Sequence, residues 1–299
     1  MFKSITLPAN YRTTDILAFH SRDPEALAER VERVDTNRIC KGVLINSVPV
    51  LLDVTINHNA ALCTVDADAV LTPEALAQID DALLNILALR IDPAPFLAAV
   101  HNDPLLAPVA QRQQGLRIVQ SATIFEALTW AIIGQQINLS FAIALRRTFI
   151  EQAGRAHASG LYCYPEAADV ASLTPEQLTT RKFSRSKAET LLRLARLVDS
   201  GALTLERSAD VAQASAALLA IKGIGPWTVN YALLRGYGYA DCSLHGDVAI
   251  RAAFQQLLGE EVKPDIARTE ALLRRYAPHR TMAAAHLWAS LQPAGQKDA

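Results

Sequence analysis

The chain has 299 residues, about half of them apolar and a fifth charged, with 29 basic against 30 acidic side chains and a formal net charge of −1. That length lies near the roughly 250 to 300 residues at which single cores stop growing, so two or three domains are expected, none needing covalent staples. The composition excludes a disordered chain, and no apolar run approaches the roughly 20 residues that cross a bilayer.

The opening segment, Met1 to Tyr11, lacks the long apolar stretch of a secretory signal, which predicts a cytoplasmic protein. The next part mixes two textures: helical stretches at 24–34 and 73–89, and a β-branched run from Val48 to Ile56. Residues 1–98 therefore read as a small α+β domain. A connection with prolines at 93, 95, 104 and 108 follows. From about Ile124 helix follows helix, broken by glycine and proline at 134, 154–165, 175, 201, 223–226, 236–246, 259–264 and 278. No alternation there is long enough to propose a second sheet. Cysteines at 40, 63, 163 and 242 are too scattered for a metal site and are expected as free buried thiols.

Charge is unevenly distributed. Residues 1–100 carry 8 basic and 13 acidic side chains, whereas 101–299 carry 21 basic and 17 acidic. The densest basic stretch is Arg181, Lys182, Arg185, Lys187, Arg193 and Arg196. It reads either as a solvated helix face or as a surface for phosphates.

The segment Leu218 to Phe254 is the most informative. Gly223, Ile224 and Gly225 sit between one helical pattern ending near Ile221 and another beginning at Pro226, a residue suited to a first helical turn. Unpaired N–H groups at such a helix start form an anion site where a DNA phosphate can sit without sequence preference. An ordinary tight turn between helices would look the same. Twenty residues after Trp227 comes Asp247, preceded by Gly246 and followed by an amphipathic run; N-capping and catalysis are both open to it.

The LxxIxGIGPWT block at 218–228, Asp247, and PHRTMAAAHLW at 278–288 together resemble the bacterial 3-methyladenine DNA glycosylase II family, within the helix-hairpin-helix DNA glycosylase superfamily. The resemblance extends to IIGQQINLSFA at 132–142, to SRSKAETLLRLARL at 184–197 and weakly to 11–19. It implies an α+β N-terminal domain (1–98), a helical subdomain (120–238) carrying the hairpin at 218–235, and a second helical subdomain from 99–119 with 239–299. The base pocket should lie between the helical subdomains.

The implied activity is that of a monofunctional glycosylase releasing alkylated purines of the 3-methyladenine and 7-methylguanine type from duplex DNA, the first step of base excision repair. Asp247 becomes the catalytic carboxylate, an anion placed to stabilise the positive charge that develops on the sugar as the bond breaks. Trp227 stands where the lyase branch carries a nucleophilic lysine, so no Schiff base is expected; Lys222 is the nearest amine. Trp227, Tyr231 and Trp288, with Phe19, should line the base pocket, where aromatic faces attract a cationic base. Gln136 is the expected wedge that fills the gap left by the extruded base. In that position the best-known branch has a leucine. Val248 stands where an aromatic residue occurs in the family, and His245 and Gly246 replace a second acidic residue.

Gly223, Ile224, Gly225 and Thr228 should bind the DNA backbone, with the carbonyls of Leu219, Ile221 and Ile224 holding a structural Na⁺ or K⁺. No other cofactor is implied. The expected partner is duplex DNA bearing a damaged base, met by a monomer in the cytoplasm at the nucleoid. The remaining alternatives are a non-catalytic DNA-binding hairpin module and a glycosylase for oxidised or deaminated bases.

Overall fold

A computed structural model describes residues 1–291. Its first unit is a five-stranded antiparallel sheet in the order β1-β5-β4-β3-β2, made of β1 (Phe2–Thr6), β2 (Glu29–Glu32), β3 (Arg38–Ile45), β4 (Val48–Ile56) and β5 (Ala60–Ala67). The alternation in β4 buries Val50, Leu52, Val54 and Ile56 on one face. Against them pack Ile16 and Leu17 of α1 (Thr13–His20) and Ile79 and Leu83 of α2 (Pro73–Ile86). Thr72 caps α2 by accepting the Ala75 N–H, with Pro73 in the first turn.

The helical body comprises α3 (Ala94–Val100), α4 (Ala107–Arg112), α5 (Ile124–Gly134), α6 (Leu139–Ala153), α7 (Ala167–Ala171), α8 (Pro175–Thr179), α9 (Arg185–Asp199), α10 (Val211–Leu219), α11 (Pro226–Ala232), α12 (Val248–Leu258), α13 (Ile266–Arg274) and α14 (Arg280–Ser290). The chain thus has the α+β plus helical architecture that its sequence indicates. Side chains of Thr123, Asn138, Ser184, Asp210 and Asp265 cap α5, α6, α9, α10 and α13. A π-helical turn, Leu233–Tyr237, extends α11. No helix among the described residues is long and apolar enough to cross a membrane.

Three details differ from the expectation. The stretch 24–34 is not a helix: Ala26 takes a left-handed φ of 49° and residues 29–32 form edge strand β2. Tertiary pairing there overrides a helical pattern, because Glu29 meets Lys41 of β3. A short hairpin, β6 (Arg155–Ala156) with β7 (Tyr162–Cys163), also reaches from the helical body to the sheet, with Val43 bridging Tyr164. Gly42 permits this approach, since a Cβ there would lie 2.2 Å from the Tyr162 carbonyl oxygen. Finally, Leu87 and Ala88 belong to the sheet-side core, whereas Phe96 and Val100 belong to the helical core, so the changeover comes close to Leu89. α3 and α4 then join the C-terminal helices: Phe96 stacks on His286 with ring centroids 5.1 Å apart, and Arg275 pairs with Asp103 at 2.7 Å.

The two units are locked by charge. Lys41, 1 % exposed in the middle of β3, donates to Glu29 of β2 and to Glu126 of α5 (2.9 Å). Arg146 of α6 closes the set, 2.8 Å from Glu126 and 3.4 Å from Glu29. Burial pushes both carboxyls up, but Lys41 and Arg146 outweigh it and hold them below the usual carboxylate range. Lys41→Met leaves two buried carboxylates short of a partner and is expected to lower stability by about 3–5 kcal/mol at neutral pH. The lowered acid groups contribute stability above their ordinary value of 4.5, and it is lost as pH falls through their depressed folded values. The gap between wild type and Lys41→Met in chemical denaturation should therefore narrow below that pH; a gap independent of pH would contradict the account.

Candidate active site and DNA-binding hairpin

Asp247 caps α12: its Oδ1 accepts the N–H groups of Ala249 (2.9 Å) and Ile250 (3.0 Å). Two indoles complete the arrangement. Trp227 of α11 donates Nε1–H to Oδ2 at 3.0 Å, and Trp288 of α14 donates to Oδ1 at 3.1 Å. Four N–H donors from three helices therefore orient one half-buried carboxylate, and the capping and functional readings of Asp247 coexist.

Trp227 and Tyr231, four residues apart on α11, stack with ring centroids 5.2 Å apart and an interplanar angle of 29°. Trp130 of α5 donates its indole N–H to the Tyr231 hydroxyl at 2.9 Å. Arg235, a further four residues along, has its guanidinium carbon 5.7 Å from the Trp288 ring centroid and 5.0 Å from that of Phe19. Phe19 thus joins the cluster through Arg235, and a second guanidinium, Arg22, lies 3.8 Å from its centroid. The structure brings Trp227, Tyr231 and Trp288 together around Asp247, with Phe19 on the far side of a cation. Val248, next to Asp247, is 62 % exposed, leaving that side of the site open. His245 Nδ1 pairs with the Ser243 hydroxyl at 2.9 Å and does not extend the set of carboxylate donors.

The hairpin lies between α10 and α11. Gly223 has φ +101°, and a Cβ there would fall 2.0 Å from Thr190 Oγ1, so glycine is required for both backbone and space. Gly225 differs: its φ is −108° and a Cβ would meet nothing within 4 Å. The absence of a side chain at Gly225 leaves open room in front of the first N–H groups of α11. Ile224 is 5 % exposed and anchors the turn in the helical core. Thr228 is 2 % exposed, and its hydroxyl accepts Gln135 Nε2 at 2.9 Å. Gln135 also donates to the Gly223 carbonyl at 3.0 Å, tying the hairpin to the segment that carries Gln136. Gln136 is exposed, at a left-handed φ of 55°.

Much of the basic run braces this region. Lys187 donates to the Ile133 carbonyl at the end of α5 (2.7 Å), Arg193 to that of Lys222 (2.8 Å), and Arg196 to that of Leu173 (3.4 Å). Arg185 pairs with Glu176 and Glu189. The Lys222 and Gly223 carbonyls are engaged by Arg193 and Gln135, that of Ile221 accepts the Ile224 N–H at 3.0 Å, and those of Leu219, Ile221 and Ile224 have no side-chain partner among the described residues. That donor set suits a monovalent cation. The amine of Lys222 is on an exposed residue outside the Asp247 cluster.

Four participants were missed in the sequence: Trp130, Arg22, Gln135 and Arg235. A signal existed for Arg235, which continues the four-residue spacing of Trp227 and Tyr231. Trp130, Arg22 and Gln135 act through contacts between elements distant in sequence.

A capped aspartate held by two indoles, one of them stacked on a tyrosine, beside a glycine hairpin is an arrangement suited to a base taken out of a duplex. Residues 129–279 match the HhH-GPD superfamily of base excision DNA repair proteins, and the chain belongs to that family. It is 29 % identical over 267 residues to the DNA-3-methyladenine glycosylase of Bacillus subtilis, covering 87 % of each chain. Its fold is shared with the 3-methyladenine DNA glycosylase of Archaeoglobus fulgidus (TM-score 0.81, 19 % identity, 96 % of this chain and 97 % of that one). It is also shared with the Clostridium acetobutylicum 8-oxoguanine glycosylase/lyase in complex with double-stranded DNA (TM-score 0.71, 16 % identity, 97 % of each).

The two hairpin glycines should respond differently to alanine. Gly223→Ala strains φ and clashes with Thr190, so it should lower stability by more than about 1 kcal/mol. Gly225→Ala should leave stability within about 0.5 kcal/mol of wild type, yet weaken binding to duplex DNA, because its new methyl stands where a phosphate would approach. Thermal unfolding and fluorescence-anisotropy titration check both; unchanged DNA affinity in Gly225→Ala would contradict the assignment of the hairpin.

Proposed function

We propose that this protein is a monofunctional DNA glycosylase that hydrolyses the N-glycosidic bond of alkylated purines in duplex DNA. The observation that carries this reading is the Asp247 carboxylate, held by Trp227, Trp288 and two helix amides beside the stacked Trp227 and Tyr231 rings. The name of the Bacillus subtilis relative, which aligns over most of both chains, supports the same activity.

The chemistry follows from the geometry. DNA backbone rests on the hairpin through the N–H groups that open α11, an attraction that falls steeply with salt. Gln136, on an exposed loop that Gln135 ties to the hairpin, fills the space of the extruded nucleotide. The base enters between Trp227, Tyr231 and Trp288. As its bond to the sugar stretches, positive charge grows on the ring, and Asp247 stabilises it and orients the attacking water. The indoles prevent the carboxylate from turning away. No amine stands at position 227, so release occurs by hydrolysis, leaving an intact abasic strand. Na⁺ or K⁺ on the carbonyls of Leu219, Ile221 and Ile224 would stiffen the hairpin and add positive charge beneath the phosphate.

The test uses duplex DNA with one 7-methylguanine. Wild type should release the free base, with strand breaks appearing only after alkali. Asp247→Asn should bind the same duplex while releasing base at least about a hundredfold more slowly. Undiminished release by Asp247→Asn would refute the assigned carboxylate, and breaks before alkali would refute hydrolysis as the route.

A further inference from the structure

The helix that begins at the hairpin does not end as an ordinary one. Beyond α11 the turn Leu233–Tyr237 is π-helical, a wide turn that is rare and often marks functional sites, and it stops at Gly238 with a left-handed φ of 70°. It carries Arg235. The segment that leads into α5 fixes this residue twice: Ser121 donates its N–H to the Arg235 carbonyl at 2.8 Å, and a terminal nitrogen of Arg235 donates to the Val119 carbonyl. Gly236 packs tightly against α5, since a Cβ there would lie 3.0 Å from that of Ala127.

Held in this way, the guanidinium reaches two rings from opposite ends of the chain, its carbon 5.0 Å from the Phe19 centroid and 5.7 Å from that of Trp288. No carboxylate pairs with it among the described residues, and its Nε has no partner. Burial lowers its pKa from the ordinary 12.5, and the Tyr231 side chain acts against the shift. A desolvated guanidinium without an acid gains most from aromatic faces. Phe19 is anchored in turn by its neighbour His20, with ring centroids 5.3 Å apart. His20 Nε2 lies 3.1 Å from the Ile86 carbonyl and Nδ1 lies 3.7 Å from Glu29, a member of the network that joins the sheet to α5 and α6.

The two indoles that hold Asp247 are supported differently. Trp227 has Tyr231 stacked on it, whereas among the described residues no aromatic ring stacks on Trp288, and Arg235 is the cation over its face. An indole N–H lies in the plane of its ring, so whatever fixes the Trp288 plane also fixes the direction of its bond to Asp247 Oδ1. Resting on the glycosylase reading above, we propose that Arg235 is a positioning residue: it holds the Trp288 ring, and through the indole N–H the Asp247 carboxylate, in register with the N-terminal domain that supplies Phe19. Arg235 itself donates nothing to Asp247, whose four donors are the two indoles and the amides of Ala249 and Ile250. Its loss therefore acts on the chemical step, because a carboxylate that turns away stabilises the growing charge on the sugar less, and leaves the hairpin untouched.

The experiment measures single-turnover release of 7-methylguanine from a duplex, alongside DNA affinity, for wild type, Arg235→Met, Arg235→Lys and Phe19→Leu, each also combined with Trp288→Phe. Arg235→Met should slow release about fivefold or more with affinity nearly unchanged. Arg235→Lys, which keeps a cation at the rings, should recover much of the rate. In the Trp288→Phe background the N–H is already gone, so Arg235→Met should slow release no further, a non-additivity that a general loss of stability does not produce. Phe19→Leu leaves the backbone contacts of Arg235 in place and should show the same dependence on Trp288, which keeps the test decisive if Arg235→Met unfolds. Unchanged or faster release by Arg235→Met, or equal slowing with and without the Trp288 indole, would overturn the inference. A wild type that binds the duplex and releases no base would overturn the glycosylase reading beneath it as well.

Discussion

The structure depends on how one carboxylate is held. Asp247 is fixed by the amides of its own helix and by an indole from each of α11 and α14, so the position of three helices is registered at a single group. The same α11 starts at the hairpin: Gly225 and Pro226 immediately precede Trp227. In the proposed reading, contact with a DNA phosphate and orientation of the carboxylate would therefore belong to one element. A backbone displaced by an ångström would carry the pocket with it, and catalytic geometry tolerates little such error.

Around this unit the supports are polar, fully buried at Lys41 and partly exposed nearer the hairpin. Gln135 bolts the loop that carries Gln136 to the Gly223 carbonyl and to Thr228, while Lys187 and Arg193 of α9 hold the carbonyls of Ile133 and Lys222. On the opposite side, the Lys41–Glu29–Glu126–Arg146 network joins the sheet to α5 and α6, and α5 also supplies Trp130 to the cleft. The N-terminal domain also brings Phe19 to Arg235, whose guanidinium carbon lies 5.0 Å from the Phe19 ring centroid and 5.7 Å from that of Trp288. It is more than an appended module.

What could be read from the sequence was local. The glycine hairpin, Pro226 at a first turn, the spacing of Trp227 and Tyr231, and Asp247 before an amphipathic helix each depend on residues close in the chain, where backbone rules apply directly. The α+β character of the first hundred residues was legible in the alternation of β4 for the same reason. The helix expected at 24–34 failed because edge pairing with β3 decides its conformation, a contact no local pattern reports. That the Thr228 hydroxyl on the first turn of α11 is taken by Gln135, more than ninety residues earlier, was likewise not legible locally. The basic run at 181–196 could be read as a solvated helix face or as a phosphate surface; three of its members are taken by carbonyls that only the fold brings near.

The most direct test of this account removes the indole donors and keeps the rings. Trp227→Phe, Trp288→Phe and the double variant should be compared with wild type in single-turnover release of 7-methylguanine, alongside DNA affinity. Hydrogen bonds to a charged group contribute about 1.5–3 kcal/mol, so each single variant should lose about tenfold or more in rate with affinity nearly unchanged, and the double variant more than either. A double variant that releases base at the wild-type rate would show that the held carboxylate is not what this site depends on.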